Sequence, residues 1–275
     1  MSSDTSVETL RRVARTLRIH ALCMVHRAKA SHLGSCLSMA DLIACLYWGA
    51  LRIDPKCPTD SERDRFILSK GHAAAVVYAA LAERGFFPVA DLKTYNQTGS
   101  SLTGHINNDV PGVEFSSGSL GHGLPVGCGL ALAAKREGRP YRTFVLASDG
   151  ELDEGSNWEA ILFAPHHNLD NLVLIVDYNK IQSFGRVSEV LELHPLAEKF
   201  RSFRWNVVEV DGHDLPQIQA VLSAIPAVSG KPTVVIANTI KGKGVSFMED
   251  QLMWHYKSPS DEQLQSALQE LEASR

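Results

Sequence analysis

From residue 7 to residue 29 apolar side chains fall at Val7, Leu10, Val13, Leu17, Ala21 and Met24, the three-to-four spacing of one helix face. A stretch of small residues, Ala30 to Leu37, reads as a loop. Ser38 followed by Asp41 reads as a capping box, opening a helix that carries Leu42, Ile43, Leu46 and Tyr47. The rhythm changes at Phe66–Leu68, a short strand-like run that turns at Ser69-Lys70-Gly71-His72 into an alanine-rich helix. That helix should end near Arg84-Gly85, where glycine fits just past the last turn. Four more apolar runs follow, at 143–147, 172–176, 207–210 and 233–237, separated by segments long enough for helices. Strands that read as unbroken apolar runs are covered on both sides. The alternation therefore predicts an α/β fold, a parallel sheet flanked by helices on both faces.

Leu264, Leu268 and Leu271 predict a helix within Ser260–Arg275. One segment fits neither rhythm: Gly99 to Gly129 holds eight glycines in thirty-one residues and no long apolar run before Leu130. A loop of that length inside a compact domain is commonly functional. No internal repeat or low-complexity linker interrupts the chain, so a single domain over residues 1–275 is expected.

Composition narrows the function classes. With 44% hydrophobic and 21% charged residues the chain has ordinary globular proportions. Its net charge of −4 gives no broad electrostatic reason to bind nucleic acid or an anionic membrane. No apolar run reaches the roughly 18 residues of a membrane span. Met1-Ser2-Ser3-Asp4 lacks the basic start and apolar core of a signal peptide, so a cytoplasmic location is expected. The five cysteines (Cys23, Cys36, Cys45, Cys57, Cys128) are scattered without CxxC spacing, which favours buried thiols over zinc ligands or disulfides.

The chemistry concentrates at the ends of two strand-like runs. Asp149-Gly150 follows TFVLA, and thirty residues later Asn179 follows LVLIVD. Ligands of parallel sheets sit beyond the carboxyl ends of the strands. A carboxylate, a side-chain amide and an unhindered glycine amide are hard oxygen donors and open backbone, which suit Mg²⁺ bridging a diphosphate.

That spacing resembles the thiamine diphosphate (ThDP) fingerprint, and further stretches extend the likeness: Lys29-Ala-Ser-His-Leu-Gly, Leu68-Ser-Lys-Gly-His, Thr103-Gly-His, Ser117-Gly-Ser-Leu-Gly-His-Gly, Ser148-Asp-Gly-Glu-Leu-Asp-Glu-Gly, Asp177-Tyr-Asn-Lys-Ile, Asp211-Gly-His-Asp and Lys241-Gly-Lys-Gly. In this order they resemble the N-terminal, pyrophosphate-binding half of transketolases from about residue 8 to 259. The resemblance implies Mg²⁺ (with Ca²⁺ or Mn²⁺ as substitutes) held by Asp149, Asn179 and the Ile181 carbonyl. It also implies a cofactor loop of Gly118, Ser119 and Leu120, with Gly150 approaching the diphosphate through its amide. His72 and His255 would stand beside the diphosphate, and His32 and His105 would line a sugar channel, with His32, His105 and His255 moving protons. Glu154 and Glu159 match acidic residues that link paired cofactor sites across a subunit interface.

Plainer roles compete for several of these positions. Asp149 could cap a helix, and Glu154 and Glu159 could be solvated or helix-terminal charges. His122 stands where the family often has Gln. His20, His26, His166, His167 and His194 read as packing or surface residues, Trp158 and Phe163 as helix packing, and His213 is given no site role. Two departures stand out: Ser148 replaces the first fingerprint glycine, and Ser183-Phe184-Gly185 replaces a commoner Ile-Asp-Gly.

The glutamate that family members place beside the aminopyrimidine ring, in a following domain, has no counterpart before Arg275. Either the chain is a fragment of a longer enzyme or it is one subunit of a split transketolase, and the second is the expectation. It would transfer a two-carbon ketol unit from a ketose, expected as its phosphate, to an aldose, with a C-terminal pyrimidine-domain partner in an α₂β₂ assembly. The alternatives are another ThDP-enzyme subunit, of the deoxyxylulose-phosphate synthase or 2-oxo-acid dehydrogenase type, or a non-catalytic ThDP-binding subunit.

Overall fold

A computed structural model describes residues 5–273; Met1–Asp4 and the last two positions of the expected C-terminal helix lie outside them. Five strands, β1 (Arg65–Leu68), β2 (Thr143–Ser148), β3 (Leu172–Tyr178), β4 (Asn206–Asp211) and β5 (Thr233–Asn238), form one sheet in the order β1-β2-β3-β5-β4. Every pairing is parallel. All five strand expectations hold, each to within two residues of its predicted ends. Ten α-helices accompany them among the described residues: α1 (Val7–Ala28), α2 (Leu33–Ser38), α3 (Ala40–Cys45), α4 (Ala74–Arg84), α5 (Gly123–Glu137), α6 (Gly155–His166), α7 (Val187–Val190), α8 (Leu196–Ser202), α9 (Leu215–Ser223) and α10 (Asp261–Ala273).

Two apolar clusters, one on each face, explain why the strands read as unbroken runs. Phe144 and Leu146, Val173 and Ile175, and Val235 and Ala237 point into a core shared with α1, α3, α4, α9 and α10. Their alternate neighbours Val145 and Ala147, Leu174 and Val176, and Val234 and Ile236 point into a second core with α5, α6 and α8. The period-2 alternation of side chains sends each to an opposite, equally dry face. Alanines let α4 lie close: Ala74, Ala75, Ala79 and Ala80 are fully buried. Gly85 ends that helix with φ +88°, as expected.

Two local expectations fail near the chain start. Ala30–Leu37 is not all loop, because α2 begins at Leu33. Ser38 and Asp41 form no capping box: Ser38 closes α2, and Met39 precedes α3 without any side-chain cap. The reason is tertiary. Ser38 Oγ donates to Asp177 Oδ2 at 2.5 Å, and Asp41 takes the Arg18 guanidinium at 3.1 and 2.5 Å. Charge-assisted bonds, a hydroxyl to a buried carboxylate and a guanidinium to another, outcompete the neutral main-chain N–H groups of a helix end. The cysteines are all free, and Cys57 is exposed rather than buried. No helix among the described residues is long and apolar enough to cross a membrane.

Candidate active site

The carboxyl ends of β1, β2, β3 and β5 converge on a buried polar floor. Asp177, second from the end of β3, stands beside Ser148 of β2 and Ala237 of β5 in the sheet register. Its Oδ2 accepts from Ser38 Oγ, from the Lys70 ammonium and, at 3.3 Å, from Asn179 Nδ2; its Oδ1 accepts from Thr239 Oγ1. Lys70 and Asp177 are both fully buried. Burial alone would raise the Asp177 carboxyl, but the Lys70 charge and the surrounding donors hold it below its ordinary value. The bond to Asn179 Nδ2 fixes that amide, turning its Oδ1 the other way, where it accepts from the Ile181 N–H at 3.2 Å.

The predicted oxygen donors meet above this floor. Asp149 accepts from Gly150 N at 2.7 Å and from Lys180 N at 2.5 Å, stitching the turn after β2 to the turn after β3. Its N-cap position and its place among the candidate ligands are thus compatible. Asp149 is 1% exposed; its donors are main-chain N–H groups, and among the described residues it forms no ion pair, although the Lys241 charge works to lower its carboxyl. Burial first, and the Asp177 charge second, push its carboxyl up to about 6. The Ile181 carbonyl accepts from Lys241 Nζ at 2.7 Å, and the same ammonium lies 3.1 Å from His255 Nδ1. Burial lowers Lys241 to about 8. Among the described residues no cluster of three or more His, Cys, Asp or Glu side chains forms a metal site. The donor set here is one carboxylate, one amide and one main-chain carbonyl, so it lies outside that class of cluster.

Glycine is required where backbone must come close. A Cβ on Gly150 would stand 2.7 Å from Gln182 Cβ, and one on Gly118 would stand 3.1 Å from the His105 ring. Ser148 supplies what the missing fingerprint glycine does not: its Oγ accepts from Glu151 N at 3.2 Å, bracing the turn.

All four predicted histidines gather here. The His32 ring lies 4.8 Å from His72, 4.9 Å from His255 and 6.1 Å from His105, centroid to centroid. His32 adopts φ +69° at the start of α2 and donates its N–H to the His255 carbonyl at 2.9 Å, tying two distant segments together. Burial, then His105 and Lys241, lower His32 to about 4; burial, then Lys241 and His32, lower His255 to about 3. His72 also falls well below its ordinary value, chiefly by burial. These three rings are therefore neutral at neutral pH, each with one donor and one acceptor nitrogen. Gly118, Ser119 and Leu120 form an accessible loop against His105, with Gly118 and Ser119 exposed.

Glu154 and Glu159 stay outside this gathering, exposed at the start of α6. The buried glutamate is Glu151, whose Oε1 accepts from Ser69 Oγ at 2.6 Å and Gly121 N at 3.0 Å. Trp158 packs as expected, 6.1 Å from Phe200 ring to ring, but Phe163 is 37% exposed. His122 is exposed and turns Nδ1 towards the Ser119 and Leu120 carbonyls. Lys70, Asp177, Thr239, Lys241 and Glu151 were not singled out from sequence. Four of them sit inside the stretches that carried the resemblance, each a charged residue at the end of an apolar run, and that was the available signal.

The family model for "Transketolase, thiamine diphosphate binding domain" matches residues 9–271. The chain is 43% identical to an apulose-4-phosphate transketolase subunit from Actinobacillus succinogenes, over 98% of each. It is 39% identical to a 6-deoxy-6-sulfo-D-fructose transketolase subunit from Clostridium sp., over 96% of each. Transketolase from Campylobacter jejuni superposes with a TM-score of 0.92 at 31% identity, covering 98% of this chain; the chain spans 43% of that one. With sequence, fold and site pointing the same way, the chain belongs to the transketolase family, as a transketolase subunit of the thiamine diphosphate-binding kind.

Proposed function

We propose that this chain works as the diphosphate-binding subunit of a two-chain transketolase, moving a two-carbon ketol unit from a ketose bearing a terminal anion to an aldose. The observation that carries the reading is the meeting of four histidine rings with the Asp149, Asn179 and Ile181 oxygens over one buried floor. Asp149 is a buried carboxylate that accepts from main-chain N–H groups and stays raised although the Lys241 charge works to lower it, and a divalent ion would favour its charged form. Asp149, Asn179 and the Ile181 carbonyl would hold Mg²⁺, or Ca²⁺ or Mn²⁺ in its place, since all three donors are hard oxygens. Gly150 leaves its amide open to a diphosphate, and His72, His255 and the loop of Gly118, Ser119 and Leu120 would flank it.

Bound ThDP supplies the carbon nucleophile and electron sink that break and remake the carbon–carbon bond. The chain supplies orientation and proton movement. A neutral imidazole can accept a hydroxyl proton at one nitrogen while donating from the other, and His32, His105 and His255 stand close enough together to hold one sugar between them. Lys241 adds a buried positive charge next to His255.

The acid for the pyrimidine ring and the grip on the terminal anion fall to a partner of about 300 residues, the size of one or two ordinary domains. Two copies of each would make an α₂β₂ cytoplasmic enzyme, with Glu154 and Glu159 facing the second copy. The two subunit relatives are named for sugars carrying a phosphate and a sulfo group, which favours an anionic sugar here as well. Turnover of sugar phosphates with ThDP and Mg²⁺ is expected only when the pyrimidine-domain chain is added; robust turnover by this chain alone would overturn the two-chain reading. Asp149→Ala is expected to abolish Mg²⁺-dependent ThDP retention, and unchanged affinity by calorimetry would remove the metal assignment.

A further inference from the structure

The Asp211-Gly-His-Asp stretch contributes no side chain to the site described above, yet every member of it has a defined task. Asp211 Oδ1 accepts from His213 N at 2.9 Å, and Asp214 caps α9 by accepting from Gln217 N at 3.1 Å. Gly212 packs so tightly on the end of β5 that a Cβ would collide with Thr239 Cγ2 and stand 3.1 Å from the Asn238 carbonyl. That close approach carries the His213 ring across to the loop after β5. There His213 Nε2 accepts the Ile240 N–H at 2.9 Å. Nδ1 is left as the donor, and it meets Asp41 Oδ2 at 2.8 Å. Asp41 is held in turn by Arg18, whose Nε also donates to the Leu37 carbonyl at 3.3 Å. The tautomer and ring orientation of His213 are thus set from behind, as second-layer carboxylates set them elsewhere.

The residue after Ile240 is Lys241, which reaches both the Ile181 carbonyl and His255. Its long side chain passes over Gly34, where a Cβ would stand 3.1 Å from Lys241 Cγ. On the far side of Lys241, Gly242 N donates to the Gly34 carbonyl at 3.0 Å. On the near side the Ile240 N–H goes to His213. The backbone of this turn is therefore pinned just before and just after its lysine.

We propose that His213 is a positioning residue, holding the Ile240 amide so that Lys241 presents its ammonium to the Ile181 carbonyl, to His255 and to the diphosphate of the cofactor. The proposal rests on the reading of the site given above. Both ring nitrogens of His213 are engaged, with Ile240 and Asp41, so it acts through Lys241.

Two substitutions separate the two bonds of the ring. In His213→Asn the amide can still donate to Asp41 but stops short of Ile240; in His213→Gln the longer side chain reaches Ile240 with its oxygen. Calorimetric titration of the full-length chain with ThDP and Mg²⁺ should show affinity about tenfold weaker for His213→Asn, the size of one lost buried hydrogen bond. His213→Gln should recover most of that loss. Adding His213→Asn to Lys241→Met should weaken binding no further, because the histidine then has nothing left to position. Full additivity in that double variant, or wild-type affinity in His213→Asn alongside weakened Lys241→Met, would overturn the proposal while leaving the site reading intact. Unchanged affinity in both Lys241→Met and Asp149→Ala would instead overturn the site reading and the proposal with it. Thermal unfolding of each variant separates these results from loss of fold: a loss of affinity that tracks melting temperature across Asn and Gln alike also counts against positioning.

Discussion

The two ends of the sheet each bury an aspartate, and they treat it in opposite ways. Asp64, fully buried just before β1, accepts from Arg52 N and Nη2 at 3.0 and 2.7 Å and from Arg142 N and Nη2 at 2.8 and 2.5 Å. Burial would raise its carboxyl, but the Arg52 and Arg142 hydrogen bonds and charge keep it below its ordinary value. Asp149, at the other end, is as deeply buried, has only main-chain donors, and is pushed up to about 6. One carboxylate is saturated by the chain itself and serves the fold. The other stays raised even though the Lys241 charge works to lower it, and buried carboxylates raised in this way cluster at functional sites.

Substitution should break the symmetry between the two. Asp64→Ala leaves the largely buried Arg142 guanidinium without its carboxylate, and the expected loss is about 3 kcal/mol in urea unfolding, with ThDP affinity unchanged. A loss below about 1 kcal/mol would place Asp64 among ordinary surface pairs. Asp149→Asn should do the reverse. The amide keeps a single oxygen, so it retains one of the Gly150 and Lys180 bonds and loses the other, but it carries no charge to desolvate, and at pH 7 the ligand-free chain should be no less stable than wild type. Mg²⁺-dependent ThDP binding should fall steeply at the same time. A destabilised Asp149→Asn chain would show that the two aspartates are alike after all.

Acid sharpens the contrast. Burial works to raise Asp41, but the Arg18 charge and the His213 hydrogen bond win, and the carboxyl sits at about 2 against an ordinary value of 3.8. A folded-state value below the unfolded one contributes stability that is fully present above about pH 4 and is lost as the pH falls through 2. The contribution is about 2 kcal/mol. Asp41→Asn should therefore flatten the stability profile between pH 4 and 2, measured by denaturant midpoints at each pH. A profile parallel to wild type through that window would remove Asp41 from the acid response.

These carboxylates also mark how far a one-dimensional reading reaches. The strands were legible because Thr143–Ala147, Leu172–Val176 and Thr233–Ala237 are buried on both faces and so carry no polar interruption. Asp149, Asn179 and the four histidines were legible because each stands in a short stretch with characteristic neighbours, at the end of a strand or opening a helix. Ser38 and Asp41 were misread because the cues for a capping box lie within three residues, whereas their partners lie 139 residues away at Asp177 and 23 away at Arg18. Glu151 carried only the cue of its stretch: its neighbours Asp149, Asp153 and Glu154 are equally acidic, and the fold alone decides which carboxylate turns inward to Ser69 and Gly121.

The smallest effect belongs to the acidic pair that stayed outside. Glu154 and Glu159 are exposed, and their carboxylates make no ion pair or hydrogen bond among the described residues; the outward Leu162 beside them is 61% exposed. Exposed charges of this kind contribute within about 0.5 kcal/mol to the fold of one chain. Glu154→Gln and Glu159→Gln should accordingly leave urea unfolding of the dilute single chain unmoved. If these carboxylates face a second copy in the assembled enzyme, the same substitutions should shift its assembly equilibrium in sedimentation, because burial at an interface turns a solvated charge into one that needs a partner. Exposed on one chain and buried between two, a carboxylate can be silent in folding and still be felt in assembly. Sedimentation unchanged by both substitutions would leave the pair as plain helix-terminal charges, the reading in which they matter least.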